Sequence, residues 1–213
     1  MPRSRARRAG APLAAVLAAS AVLGAGGALA ADGKSLYAPC VACHGARGEG
    51  VPSTGAPNIA GGEAWYVERQ LRNFATGLRG AQPGDSYGAA MKAGSAVLAS
   101  DGDRAAVAAY VAGLPRIHAA APAAVTDNGR NYFNAICSAC HGSGGLGNEA
   151  LGAPRLAGLP AAYLARQLAA FKSGRRGAQS GDRLGAQMRA ISAMLPDART
   201  EQDVIAYAAS LKP

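Results

Sequence analysis

Residues 40–45 read CVACHG, and residues 137–142 read CSACHG. These two stretches contain all four cysteines and two of the three histidines of the 213-residue chain. The spacing Cys-x-x-Cys-His is therefore written twice, at a separation of 97 positions. This repetition indicates two copies of one unit, each built around the same chemistry.

The repeat extends well beyond the two motifs. Residues 40–114 and 137–211 align without a gap at the same offset of 97, and 37 of the 75 positions are identical. The matches include tyrosines, glutamines and phenylalanines, so a shared Ala and Gly content does not explain them. We therefore predict two duplicated domains, residues 31–114 and 126–213, joined by a Pro- and Ala-rich linker over residues 115–125.

The first thirty residues differ in composition from the rest of the chain. Residues 1–10 contain four arginines and no acid, residues 11–27 are apolar and uncharged, and residues 28–30 read ALA, as at a cleavage site. We predict a secretory signal over residues 1–30, cleaved before Ala31. The alternative is an uncleaved membrane anchor, because the uncharged stretch is just long enough to span a bilayer. Cleavage would leave a soluble, exported protein.

The charge of the chain is uneven. The chain has 22 basic and 13 acidic residues and a formal net charge of +9, and loss of the four N-terminal arginines leaves +5. Residues 31–122 hold 8 basic and 7 acidic residues, whereas residues 123–213 hold 10 and 6. The basic second half favours orientation on an acidic partner, with an ordinary solvated surface as the alternative. Nucleic acid is not an expected partner, because the protein is exported and aromatics are not interleaved with its arginines.

Each copy has the pattern of a small helical unit. We expect a short helix before the cysteines and a longer one after them, in which Val67, Leu71 and Phe74 form one apolar face that ends at a glycine. A last helix closes each copy, and in the second copy Thr200 with Asp203 resembles a capping box. Alternating β-branched runs are absent from the sequence, so we predict an all-α fold whose glycine-rich loops wrap around a ligand.

The residue that follows Cys-x-x-Cys decides among three chemistries. A zinc site needs four ligands, and each copy supplies three. A thiol–disulfide redox pair does not need the histidine. A secreted disulfide framework of the four cysteines is the remaining alternative. In Cys-x-x-Cys-His the two thiols add to the vinyl groups of a haem and the histidine ligates the iron. We therefore predict two covalently bound haem c groups. The attachment residues are Cys40, Cys43, Cys137 and Cys140, and the iron ligands are His44 and His141.

The second axial ligand of each iron follows by elimination. His118 is the only histidine outside the motifs, so two haems with histidine on both faces are impossible. A methionine thioether is the commonest alternative. After the predicted signal the first copy contains only Met91, whereas the second contains Met188 and Met194, of which Met188 aligns with Met91. We predict Met91 and Met188 as axial ligands and expect Met194 to pack in the wall of the site. Core packing of the methionines, and an open or water-ligated iron, are the alternatives.

The order of these motifs resembles the class I cytochromes c. In each copy the Cys-x-x-Cys-His motif is followed by GAPNIAG at residues 55–61 or GAPRLAG at residues 152–158, then by a long helix, a methionine and a closing helix. Doubled in one exported chain, this order resembles the dihaem cytochrome c4 family over essentially all of residues 31–213. The resemblance implies two tandem cytochrome c domains, each wrapped around one covalently attached haem, with the haems close enough to exchange electrons.

The same resemblance implies roles for four further residues. Pro57 and Pro154 match the proline whose carbonyl accepts a hydrogen bond from the ligating histidine, a contact that fixes the ring and tunes the iron. Arg79 and Arg176 are expected to offset haem propionates near the domain interface. A solvated loop position is the alternative for both arginines.

The predicted ligands of the two irons indicate the function. Histidine and methionine on the two faces of each iron leave no site for a substrate, so we expect a carrier of single electrons with no catalytic residues. We predict a periplasmic protein that carries electrons from a quinol-oxidising complex or a dehydrogenase toward a terminal oxidase or reductase, and that can associate peripherally with the membrane through these partners. Two alternatives stay open. One is an electron-accepting subunit of an enzyme complex such as a sulfide dehydrogenase, and the other is a dihaem enzyme with an open axial site.

Overall fold

The computed structural model of the chain describes Met1, residues 32–122 and residues 124–212. Apart from Met1, the predicted signal over residues 1–30 and its cleavage point before Ala31 lie outside these residues. Within the described part of the chain, no helix is long and apolar enough to cross a membrane.

The described residues form two helical halves with the same order of elements. The first half contains α1 (Gly33–Tyr37), α2 (Val41–His44), α3 (Ala64–Ala75), α4 (Ser86–Ser95) and α5 (Asp101–Gly113). The second half contains α6 (Asp127–Tyr132), α7 (Ser138–His141), α8 (Ala161–Lys172), α9 (Arg183–Ser192) and α10 (Ala198–Ser210). A 3₁₀ turn joins α1 to α2 and a π turn joins α6 to α7. Extended pairing in the described residues is limited to two isolated bridges, Val51–Ala56 and Asn148–Ala153. The predicted all-α class is confirmed.

The helices of the two halves pack in the same way. α1 and α3 contact α5 as α6 and α8 contact α10, and α4 contacts α3 as α9 contacts α8. Of the predicted apolar face of α3, Leu71 and Phe74 are buried and Val67 packs, partly buried, against the same core. The first core comprises Tyr37, Leu71, Leu98, Val107 and Val111, and the second comprises Phe133, Leu164, Leu195, Val204, Ala208 and Ala209. These cores are small, as expected for domains of about 90 residues, and leave room for a large apolar group.

A glycine lets the first and last helices of each half cross at close range. A Cβ added to Gly129 would lie 2.1 Å from the carbonyl oxygen of Asp203, and one added to Gly33 would lie 2.3 Å from that of Ala106. Asp203 and Ala106 are equivalent at the offset of 97, so both halves use the same crossing. A side chain at either glycine would collide with the backbone of the closing helix and force the two helices apart, which a close-packed interior does not tolerate.

Two helices, α4 and α9, have no counterpart among the helices predicted from the sequence. Each begins at an aspartate whose carboxylate caps the first turn: Asp85 accepts from the Gly88 amide at 3.0 Å, and Asp182 from the Gly185 amide at 2.9 Å. α4 is rich in small residues, so its periodic apolar signal is weak, whereas α9 has Leu184, Met188 and Ile191 at i, i+4 and i+7, a pattern that does predict a helix. They matter because they carry Met91 and Met188.

The closing helix of the second half begins earlier than predicted. The capping box expected at Thr200 and Asp203 is wrong, because α10 begins at Ala198 and its cap is Asp197, whose carboxylate accepts from the Thr200 amide at 2.7 Å. The complete capping box lies in the first half, between Ser100 and Asp103. Position 100 is equivalent to position 197 at the offset of 97, so both copies cap the same turn, with a serine in one and an aspartate in the other.

The helix crossing predicts the effect of one added methyl group. Gly129→Ala is expected to cost ~1–3 kcal/mol of folding free energy, because the methyl group would meet the Asp203 carbonyl. Thermal unfolding of the haem-loaded protein measures the change. The control is Gly113→Ala at the end of α5, where an added Cβ meets no atom within 4 Å. An unchanged Tm for Gly129→Ala would contradict the close crossing.

Candidate functional site

The two motifs occupy equivalent positions on α2 and α7. Cys40 and Cys137 are half-buried, Cys43 and Cys140 are exposed, and all four thiols are free. Burial, reinforced by the charge of Cys140, raises the pKa of the Cys137 thiol to about 11, and burial followed by the charge of Cys43 raises that of Cys40. Both half-buried thiols are therefore protonated at neutral pH, and unpaired thiols are what addition to vinyl groups requires.

Both motif histidines are buried and held by a backbone carbonyl. His44 is 6% exposed and His141 is 5% exposed. Nδ1 of His44 lies 3.0 Å from the carbonyl oxygen of Pro57, and Nδ1 of His141 lies 2.7 Å from that of Pro154. A carbonyl oxygen only accepts, so Nδ1 carries the proton and Nε2 keeps its lone pair. Burial lowers the pKa of both histidines, against a smaller opposing effect of these hydrogen bonds. A neutral imidazole with a free Nε2 is the form that ligates a metal.

Met91, Met188 and Met194 lie in different environments. Met188, on α9, lines the same cleft as His141. Met91, on α4, is partly buried against the first core. Met194 is 58% exposed and is not part of the cleft lining, so the expectation that it packs in the wall is wrong. Met194 lies just beyond the end of α9, where its side chain faces solvent.

A deep cleft opens beside the second motif and runs across the interface into the first half. Its lining includes the motif residues Cys137, Cys140 and His141 together with Pro154 and Met188. The surrounding wall is mainly apolar and includes Leu164, Leu168, Phe171, Ile191, Val204 and Ala208. Two thiols, an imidazole and a thioether within one apolar cleft are the donor set of a covalently attached haem. Elsewhere in the described residues, no three His, Cys, Asp or Glu side chains group together as a metal site of another kind.

Two arginines and two glutamines meet where the halves touch. Gln70 accepts from Arg79 at 2.9 Å and from Arg176 at 3.1 Å, so a single amide oxygen binds guanidinium groups of both halves. Gln167 likewise accepts from Arg79, at 2.9 Å, and from Arg176. Because Gln70 matches Gln167 and Arg79 matches Arg176 at the offset of 97, the cluster is nearly two-fold symmetric.

This cluster contains two positive charges and no negative one. Arg176 is 8% exposed, and each guanidinium lies over a phenylalanine ring, Arg79 over Phe74 at 4.6 Å and Arg176 over Phe171 at 4.2 Å. Among the described residues no carboxylate lies within ion-pair distance of either arginine, and Nε of Arg79 is buried without a hydrogen-bond partner. Burial, then the charge of Arg79, lowers the pKa of Arg176. An unpaired buried cation is costly, so this cluster fits a bound anion such as a haem propionate.

A second pair of symmetric hydrogen bonds flanks the cluster. Arg69 donates to the carbonyl oxygen of Gly152 at 2.7 Å, and Arg166 donates to that of Gly55, also at 2.7 Å. These residues are equivalent in pairs at the offset of 97, so the same bond is formed twice. The sequence indicates that these arginines are special, because they are charged residues that are identical in both copies. It does not indicate that the two arginine-bearing surfaces contact each other.

The interface predicts a cost for removing one shared acceptor. Gln70→Leu leaves N–H groups of Arg79 and Arg176 without a partner and is expected to cost about 1–3 kcal/mol. Thermal unfolding of the haem-loaded protein is the measurement, and small-angle scattering of the same sample would show the halves separating. The matched control is Gln202→Leu on the exposed side of α10, expected to change stability by less than about 0.5 kcal/mol. Equal effects of the two substitutions would contradict a shared acceptor at the interface.

The fold and the paired sites define a c-type cytochrome with two haem domains. The Cytochrome c family model matches residues 30–115 and 126–212. The chain belongs to the cytochrome c family, and its two domains carry two covalently bound haem c groups. The chain is 33% identical over 183 residues to cytochrome c4 of Stutzerimonas stutzeri, which covers 80% of this chain and 83% of the relative. The predicted resemblance to the cytochrome c4 family is confirmed.

Two further comparisons are with a thiosulfate dehydrogenase electron acceptor and with a thiosulfate dehydrogenase. The chain is 35% identical over 175 residues to a thiosulfate dehydrogenase electron acceptor of Thiomonas intermedia, with 77% of this chain and 75% of the relative covered. It is also similar to the solved structure of thiosulfate dehydrogenase (TsdBA) from Marichromatium purpuratum, with a TM-score of 0.65 and 31% identity. That match covers 85% of this chain but 40% of the other, so this chain spans about two fifths of that protein. Together these relatives establish a dihaem electron-transfer cytochrome.

Proposed function

We propose that this chain is a periplasmic carrier of single electrons between redox proteins, with residues 31–114 and 126–213 holding one haem each. The main support is the cleft that His141 and Met188 both line, because this imidazole and this thioether would together hold a haem iron. When bound, each haem takes up or gives up one electron as its iron changes between the ferric and ferrous states.

The chain's own residues hold the two iron sites closed. The Pro57 and Pro154 carbonyls fix the rings of His44 and His141 with Nε2 free for the metal. Met91 and Met188 would supply the second ligand of each iron, and the thiols of Cys40, Cys43, Cys137 and Cys140 would attach the two groups covalently. With two protein ligands on each iron, a substrate would have no place to bind, which favours a carrier over an enzyme.

Arg79 and Arg176 are assigned to the carboxylates of the haem propionates. Support comes from the missing negative charge in their cluster and from the unpartnered Nε of Arg79. Each guanidinium already contacts glutamines of both halves, so anions bound there lie at the interface. Haem carboxylates held there would lie close to the interface, which would favour electron exchange between the halves.

The relatives favour a dehydrogenase as the electron donor. Proteins similar over three quarters of this chain act as electron acceptors of thiosulfate dehydrogenase, and this supports a donor of that class more directly than a quinol-oxidising complex. A terminal oxidase or reductase is the proposed acceptor. A second candidate is permanent attachment to the dehydrogenase as its electron-accepting subunit, and the similarity to part of a longer thiosulfate dehydrogenase chain favours it.

Export is part of the proposal. The arginine-rich start, the apolar stretch after it and the small residues before Ala31 support a cleaved signal. Covalent haem attachment supports the same location, because it takes place on the outer side of the bacterial inner membrane.

Replacing each methionine tests the assignment of the iron ligands. The charge-transfer absorbance from methionine sulfur to ferric iron is expected to fall by roughly half in Met91→Ala and in Met188→Ala, because each variant loses one of two ligands. Met194→Ala is the matched control and should leave the absorbance unchanged, because its side chain is exposed. If the unsubstituted protein shows this absorbance for only one haem, an open axial site exists and the pure carrier function is wrong.

Mixing the oxidised protein with a thiosulfate dehydrogenase tests the donor. Addition of thiosulfate is expected to reduce both haems rapidly, and omission of either enzyme or thiosulfate should abolish the reduction. Stopped-flow absorbance follows the reaction. Size-exclusion chromatography of the native periplasmic fraction separates the two candidates, because a free carrier elutes alone and a subunit elutes with its dehydrogenase. No reduction by any dehydrogenase fraction would contradict this donor class.

A further inference from the structure

One ion pair breaks the symmetry of the interface. Nε of Arg155, in the second half, lies 3.2 Å from Oε1 of Glu63, in the first half, and their side chains are 5% and 22% exposed. At the offset of 97 the equivalent residues are Asn58 and Pro160, so the matching place on the other side of the interface has no charged pair. The contact therefore distinguishes the surroundings of the two haems.

Arg155 is next in sequence to the proline whose carbonyl holds the ring of His141. It follows Pro154, whose carbonyl oxygen is 2.7 Å from Nδ1 of His141. A second hydrogen bond, from its Nη1 to the Ala157 carbonyl, anchors the guanidinium. Its position is therefore fixed by contacts on both sides, one within its own half and one across the interface.

The equivalent place in the first half is neutral. Asn58, which is 7% exposed, follows Pro57 and uses its side-chain amide for local contacts. Its Nδ2 donates to the Ile117 carbonyl, and its Oδ1 accepts from the Ala60 amide at 3.0 Å. His44 therefore has a buried amide where His141 has a buried guanidinium.

Glu63 directs its carboxylate to the other half instead of using it locally. It occupies the position before the first turn of α3 but makes no side-chain cap there. Arg116, bound to the Gly61 carbonyl at 3.0 Å, is the other charged group near the pair. Burial and then the charge of Arg116 lower the pKa of Arg155, and Glu63 opposes this, yet an arginine stays charged in any accessible pH range.

We propose that Arg155 is a tuning residue that raises the reduction potential of the C-terminal haem, and that Glu63 limits this rise from across the interface. The inference rests on the axial role proposed for His141. Adding one electron to ferric iron lowers its charge by one, so a fixed positive charge nearby favours the reduced state and a negative one opposes it. Because both side chains are largely removed from solvent, salt screens their effect poorly. The pair thus makes the potential of one haem depend on contact with the other half.

Neutral substitutions of the two partners give the test. In the full-length, haem-loaded protein, Arg155→Gln is expected to shift the potential of the C-terminal haem downward and Glu63→Gln to shift it upward. Spectroelectrochemical titration measures the potentials, and paramagnetic NMR of the haem methyl groups assigns each to its half. The N-terminal haem should shift less in Arg155→Gln. Potential shifts of opposite sign would distinguish an electrostatic effect from a structural one. Loosening of the interface alone would shift the C-terminal potential in the same direction in both variants.

Two sets of control variants accompany these substitutions. Arg155→Lys retains the charge and should hold the potential near that of the unsubstituted protein even if Arg155→Gln folds poorly. Arg72→Gln and Glu68→Gln remove an exposed ion pair of the same types on α3, with side chains 49% and 32% exposed, and should shift neither haem.

Two outcomes overturn the inference: equal shifts in both interface variants, or no shift in either while the methionine absorbance is intact. In those cases the carrier function would stand. Absence of that absorbance from the unsubstituted protein is a different result and counts against the proposed function itself.

Discussion

The hydrogen bond from each buried histidine to a proline carbonyl is the contact on which the rest of each half depends. It determines which imidazole nitrogen is free, and it needs a backbone oxygen delivered by a loop 13 residues further along the chain. The loop is closed by its own backbone: the Gly147 amide donates to the His141 carbonyl at 2.9 Å, and Asn148 pairs with Ala153. The first half repeats both contacts. The glycine-rich composition of these loops is explained by this close return of the chain onto the motif helix.

The interface solves a different problem, which is to keep buried positive charge in place. Gln70 and Gln167 offer only neutral oxygens to Arg79 and Arg176, so they orient the guanidinium groups without neutralising them. Aromatic faces beneath the guanidinium groups add stabilisation but no negative charge. The folded chain therefore keeps two buried positive charges at the interface. In the proposed function the same arginines would bind the haem carboxylates, which would couple cofactor binding to domain association.

Much of the site was accessible from the sequence because duplication acts as an internal comparison. Identity at a fixed offset separated Met188 from Met194, and Met188 is the one found in the cleft with His141. The resemblance to the cytochrome c4 family also pointed to Arg79 and Arg176, which lie at the interface. Helix α4 was missed because its small residues give little apolar periodicity, whereas Leu184, Met188 and Ile191 of α9 do form a helical pattern that could have revealed it. The individual contacts between the halves could not be predicted, because one sequence shows which surfaces of the two copies are alike but not which surfaces touch.

The differences between the copies carry information that the identities do not. A duplicated fold begins with two equivalent haem environments, and two equal carriers give no preferred direction to an electron passing between them. A substitution such as Asn58 in one copy and Arg155 in the other acts on one histidine while leaving the shared framework in place. Glu63 then ties that change to the partner half, since its counterpart, Pro160, has no charge to offer. Symmetry of the backbone gives the two halves the same framework, and asymmetry of a few buried charges would give electron transfer between them a direction.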